Sequence, residues 1–278
     1  MTTTGSIVRI GLHRGLIELR HGLSLTFNYV FFPTLAVLVM YALRGFSLAG
    51  TDYSLGAYAI PGIIAMNVLF TGLMGIASAL MVEREDGTLM RARATPHGTV
   101  GYFVGKIVSQ AALTCVTFAV VLTVAIALFD DFTSDPIGGF VTLCWVLPLG
   151  IVAMLPIGVI LGVVVRHPRQ LSFVSLLLMG MTAVSGIFYP LALQAPYLQV
   201  TGQLFPLYWL GLGMRSAMLP AELAATEIGG SWRPVETAAV LGLWAAAATA
   251  LALLALRRMS HRAAGSRPRA AGHGRAAR

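Results

Sequence analysis

Glu83–Pro96 reads E-R-E-D-G-T-L-M-R-A-R-A-T-P and is the most highly charged run between two long apolar stretches. Glu83, Arg84, Glu85, Asp86, Arg91 and Arg93 all fall within it. Thr88–Ala94 is long enough for about two helical turns. Pro96 stops them, because the residue before a proline is pushed out of the helical region. Gly87 weakens the helix start and allows a bend. Acidic residues at the front and arginines at the back suit the helix dipole. The stretch therefore predicts a short charged helix in a loop, held at a membrane surface by apolar flanks. Taken alone, it also fits a solvated loop of positive charge on the inner side of a membrane.

Outward from this loop the chain is greasy. Of 278 residues, 57% are hydrophobic and 11% are charged, against about 25% charged in an ordinary soluble domain. Apolar runs long enough to cross a bilayer recur along the sequence. We expect an all-α integral membrane protein with six transmembrane helices, at about 24–43, 56–82, 102–129, 137–165, 171–189 and 234–256. Residues 1–23 precede them; Val8, Leu12, Leu16, Leu19 and Leu23 form one stripe, which predicts a helix lying in the cytosolic interface. Lys106, near the inner end of its span, is placed to snorkel to the headgroups. Pro148 and Pro156 predict a kinked fourth span. The region 190–218 carries two apolar pieces, about 184–198 and 204–219, broken by Pro190, Pro196, Gly202 and Pro206. Each piece is about 22 Å long as a helix, too short for a core of about 30 Å, so a broken re-entrant segment is expected before the last span. Residues 257–278 form a basic cytosolic tail.

Charge placement supports this count. With six crossings and a cytosolic N-terminus, 16 of the 19 Lys and Arg residues are cytosolic, and only Arg44, Arg215 and Arg233 lie outside. Short loops rich in Lys and Arg stay on the cytosolic side. A seventh crossing within 190–219 would move the seven-arginine tail outside and bury Arg215, at roughly 2.5–3.5 kcal/mol for a centred arginine. The net charge of +8 is thus explained by orientation rather than by a nucleic-acid partner. Both termini are expected in the cytoplasm of a multi-pass plasma-membrane protein, with no cleavable signal peptide at the start.

Catalytic signatures are few. Gly101–Ile107 has the wrong spacing for a phosphate-binding loop and an Ile where a hydroxyl is needed. No H-E-x-x-H, C-x-x-C or G-x-S-x-G occurs. The spans hold almost no ionisable residue near mid-depth, which weakens an ion-coupled carrier. Cys115 and Cys144 fall at different depths of successive spans and are expected to be core thiols. The mild polar groups of the spans suit helix packing; Asn67, Thr71 and Ser185 are the candidates for a substrate path. No metal or cofactor is expected on this chain.

The stretch Tyr58–Lys106 carries a longer pattern: Pro61-Gly62, then Glu83, Gly87-Thr88-Leu89, Arg91, Arg93-Ala94-Thr95-Pro96, then Gly105-Lys106. It resembles the membrane subunits of ABC-2 type exporters, most closely the daunorubicin-resistance permease group. Ser185–Pro190, S-G-x-x-x-P, is similar to the outer region of that family. The resemblance implies that the loop is a coupling helix seated in a groove of a separate soluble ATPase subunit. Its contacting residues would be Glu83, Glu85, Gly87, Thr88, Leu89, Met90, Arg91, Arg93 and Pro96. It further implies a second permease copy, identical or related, and ATP with Mg held by the partner rather than by this chain. The expected activity is ATP-driven efflux of a hydrophobic or amphipathic, drug-like substrate, as in antibiotic resistance. Export of a lipid or lipid-linked glycan is the competing branch, and a membrane-embedded enzyme or assembly factor without an ATPase is the alternative of another class.

Overall fold

A computed structural model describes residues 23–48, 53–85, 98–129, 132, 135–165 and 167–265. The interfacial N-terminal helix expected over 1–23, most of the charged loop and the end of the basic tail lie outside the described residues.

The described chain is helical, with a single isolated bridge between Ser47 and Ser54 in place of any strand. Helix α1 is Leu23–Ala42, and the Ser47–Ser54 bridge turns the chain into α2, Leu55–Leu69. The Ser54 side chain caps α2 by accepting from the Ala57 N–H at 3.4 Å. A π-helical turn, Phe70–Met74, follows and leads into α3, Gly75–Glu85. Helix α4 is Gly98–Leu128. Helix α5, Pro136–Val164, starts on an Asp135 cap with Pro136 in the first turn, and runs as one helix through Pro148 and Pro156.

Helix α6 is Pro168–Val184. It ends short of the expected Tyr189, because Gly186 turns the backbone left-handed at φ 64 and Pro190 follows. A 3₁₀ turn, Leu191–Leu193, precedes α7, Pro196–Leu204, and α8, Pro206–Met218. Prolines at the first positions of α6, α7 and α8 set these breaks. A second 3₁₀ turn, Ala221–Thr226, leads to the last helix, α9, Pro234–Gly265.

Among the described residues four helices are long and apolar enough to cross a bilayer: Leu55–Glu83, Tyr102–Leu128, Pro136–Val164 and Pro234–Ala255. Helix α1 has a shorter apolar part, Val30–Ala42, and α6 has 17 residues, about 25 Å.

Helix α2 is the axis of the fold. It is apolar all round, and Gly56–Ala65 and Asn67–Leu69 are buried, as expected of a helix enclosed on every side. Helices α1, α8 and α4 pack on α2; α3 and the π turn pack on α5; α9 runs along α5. Small residues permit the close approaches. Gly158 of α5 faces the Leu73 carbonyl of the π turn, and Ala245, Ala248 and Ala252 are buried on α9. The outside is apolar too, with Phe32, Phe140, Phe173 and Leu243 exposed. An apolar exterior of this extent suits lipid rather than water. Cys115 and Cys144 sit on that exterior as free thiols. They are not core residues, because each lies on the outer face of its helix.

Candidate functional site: the loop base and the buried polar groups

The charged loop leaves the body between two helices. Helix α3 ends at Glu85 and α4 begins at Gly98. Gly87, Thr88, Leu89, Met90, Arg91, Arg93 and Pro96, with the side chain of Glu85, lie outside the described residues. The base of the loop is described. Lys106 Nζ donates to Glu83 Oε1 at 2.6 Å, and both side chains are largely buried. The lysine therefore ties α4 to α3 instead of reaching for headgroups. Just beside it, Tyr102 and Phe103 pack edge to face at 5.3 Å and join Ile76, Leu80, Val159 and Ala252 in a small apolar cluster. This cluster and the ion pair hold both helical stalks of the loop in one fixed spacing.

The Asn67 side chain and the Thr71 carbonyl both meet α4. Thr117 Oγ1 donates to Asn67 Oδ1 at 3.2 Å. Gln110 Nε2 donates to the Thr71 carbonyl at 2.5 Å. The π turn explains this last contact: its i→i+5 pattern shifts the backbone partners, and a side-chain amide covers a carbonyl there. Asn67, Thr71, Gln110, Thr114 and Thr117 are all buried, so they form a polar seam within helix packing. Ser185 lies elsewhere, at the end of α6, where its hydroxyl donates to the Met181 carbonyl at 2.7 Å.

A group not picked out from sequence is the most heavily buried charge. Arg215 of α8 is 0% exposed. Its Nε lies 2.6 Å from Glu227 Oε1, and its Nη1 donates to the Gly186 carbonyl at 3.1 Å. Nε meets the oxygen off its N–H axis, so the contact is ionic rather than an aligned hydrogen bond. Tyr58 of α2 donates its hydroxyl to the same Oε1 at 2.6 Å, and the guanidinium stands 5.5 Å from the Tyr58 ring centre. From sequence Arg215 was expected on the outer side without burial, and Glu227 carried no signal. The structure buries both as a pair. An arginine in the otherwise apolar 206–218 was the available signal, since such a residue needs a partner when buried.

An apolar groove of about 480 Å³ opens on the side of the molecule between α6 and the α7–α8 junction, lined by Phe173, Leu176, Leu177, Met181, Val184 and Phe205 among others. Among the described residues no three His, Cys, Asp or Glu side chains lie close enough to share a metal ion.

Comparison with known proteins agrees with this architecture. The ABC-2 type transporter family matches residues 19–219, which include α2, the charged loop and α8. The chain is similar to the inner membrane transport permease YadH of Escherichia coli K12, at 25% identity over 201 residues, covering 71% of this chain and 73% of the relative. The Shigella flexneri protein of the same description shows the same identity and coverage. With the family pattern spanning most of the chain and a helical, apolar-walled body to match it, the chain belongs to the ABC-2 type transporter family, as a multi-pass membrane permease.

Proposed function

We propose that this chain is the membrane-spanning subunit of an ATP-driven exporter, worked by separate ATPase subunits that bind the loop Glu83–Pro96. The observation that carries the reading is the fixed base of that loop, with Glu83 and Lys106 paired across α3 and α4 at 2.6 Å. A loop braced at both stalks can pass a push into the helices behind it, whereas a slack loop would absorb the push. Leu89 and Met90 would be the apolar contacts to the ATPase, with Glu85, Arg91 and Arg93 as polar ones. ATP and Mg belong to that partner.

Six crossings with both termini in the cytoplasm agree with the placement of arginines, and a plasma (inner) membrane location agrees with the relative's description as an inner membrane permease. A second copy, identical or related, completes the transporter. The substrate is hydrophobic or amphipathic. The sideways apolar groove beside α6 suits a compound that arrives from the bilayer, a drug-like molecule first and a lipid or lipid-linked glycan as the other branch. Asn67, Thr71 and Ser185 would join the path only in a conformation that opens the helix packing around them.

The test is co-purification from membranes followed by ATPase assay. A soluble P-loop chain should accompany the wild-type protein, and Leu89→Asp and Arg93→Glu should each reduce its recovery or its substrate stimulation at least about tenfold. Recovery of no ATPase with the wild-type chain, or full coupling in both variants, counts against the reading.

A further inference from the structure

The Arg215 cluster joins four segments that are far apart in the chain. Tyr58 is near the start of α2, Gly186 is in the turn after α6, Arg215 is on α8, and Glu227 is in the strap that runs from α8 to α9. Leu219 and Leu223 of the same strap pack on Tyr58 and Leu48. Tyr58 and Glu83 stand at opposite ends of the continuous apolar rod Leu55–Glu83, roughly 38 Å apart at the helical rise. The cluster therefore closes the end of the molecule away from the charged loop.

Two features suit a closure that can be released. Glu227 Oε1 takes both the Tyr58 hydroxyl and the arginine, while Glu227 Oε2 and Arg215 Nη2 are buried with no hydrogen-bond partner among the described residues. Water would satisfy these atoms in an open arrangement, so part of the free energy of closure is given back on opening. The strap also carries its own hinge. Gly229 and Gly230, directly after Glu227, have φ of 81 and 62, and Arg233 holds a left-handed φ of 47 just before α9. A Cβ at either glycine would meet no described atom within 4 Å, so the turn is held by backbone, through the Gly230 N–H to the Glu227 carbonyl at 3.0 Å, and by Arg233 Nη1 to Gln203 Oε1 at 2.9 Å, rather than by packing at the glycines.

We propose that Arg215, Glu227 and Tyr58 form a latch that keeps the strap 219–233 closed over α2 and α8, and that displacement of α2 releases it by withdrawing the Tyr58 hydroxyl. The latch stands on contacts within this chain, so it can be tested without ATPase, nucleotide or substrate, and it survives or fails separately from the transport reading. The full chain is purified in lipid nanodiscs with Cys115→Ala and Cys144→Ala, and one reporter is added, Leu223→Cys, whose side chain is buried on the inner side of the strap against Tyr58 and Leu48. Labelling by a polar maleimide is timed with and without Tyr58→Phe, which removes only the oxygen. The latch predicts labelling about ten- to hundredfold faster in Tyr58→Phe, the loss of one hydrogen bond to a charged group. A second reporter, Ala153→Cys in the core of α5, should stay slow in the same variant. The pair Arg215→Met with Glu227→Leu, which removes the acceptor of the Tyr58 hydroxyl, should label at least as fast as Tyr58→Phe. Equal rates at Leu223→Cys with and without the tyrosine hydroxyl overturn the latch. Parallel acceleration at both reporters overturns it too, because the opening is then global.

Discussion

At the residue scale, Arg215 decides what the last third of the chain can do. A guanidinium with no exposure is tolerable only with its charge matched, and Glu227 at 2.6 Å supplies the match. Removing one partner leaves the other charge buried alone, which costs about 3–5 kcal/mol, whereas replacing both by apolar groups of similar size is often near neutral. Arg215→Met and Glu227→Leu made singly should each lower the melting temperature of the detergent-solubilised protein sharply, by roughly that free energy. The double variant should recover most of the loss. Additive losses would mean that the two residues do not stabilise the fold as a pair.

At the element scale, the π turn Phe70–Met74 is where α2, α4 and α5 meet. Gln110 covers the Thr71 carbonyl from one side, and Gly158 presents bare backbone from the other. A Cβ on Gly158 would meet the Leu73 carbonyl oxygen at 2.5 Å and collide with Ile76 Cγ2. Since backbone cannot swing aside as a side-chain tip can, Gly158→Ala should destabilise by about 1–3 kcal/mol. Gly180, mid-helix in α6, has open space where its Cβ would be. Gly180→Ala should be neutral or stabilising by up to about 1 kcal/mol, through helix propensity alone. Thermal unfolding of the two variants side by side checks the pair, and equal destabilisation would show that the π turn is not tightly packed. The same scale explains the shortened fifth apolar helix. Hydropathy continues through Ile187 and Phe188, but the left-handed backbone at Gly186 ends the helix at Val184.

At the scale of the whole molecule, one rod links two braced ends. Leu55–Glu83 begins at the latch and finishes at the Glu83–Lys106 pair. If the loop is the handle for a cytosolic motor, residue 90 and the C-terminus must face the same compartment. Reporter fusions at residue 90 and after residue 278 should therefore give the same cytoplasmic signal, and opposite signals would end the coupling-helix reading. The arginine count in short segments makes that orientation the expected one.

The membrane class, the helical secondary structure and the breaks at 196 and 206 were legible from sequence, because each depends on local quantities: apolar run length and proline position. Tertiary structure alone decided what individual side chains touch. Cys115 and Cys144 turned outward, because an apolar helix carries no pattern that separates lipid from core. Lys106 was committed to Glu83, and Arg215 was enclosed with Glu227 and Tyr58. Tyr58 and Glu227 are 169 residues apart along the chain. A pairing of that kind follows from how helices pack on one another, and no window of sequence short enough to show a period contains both partners.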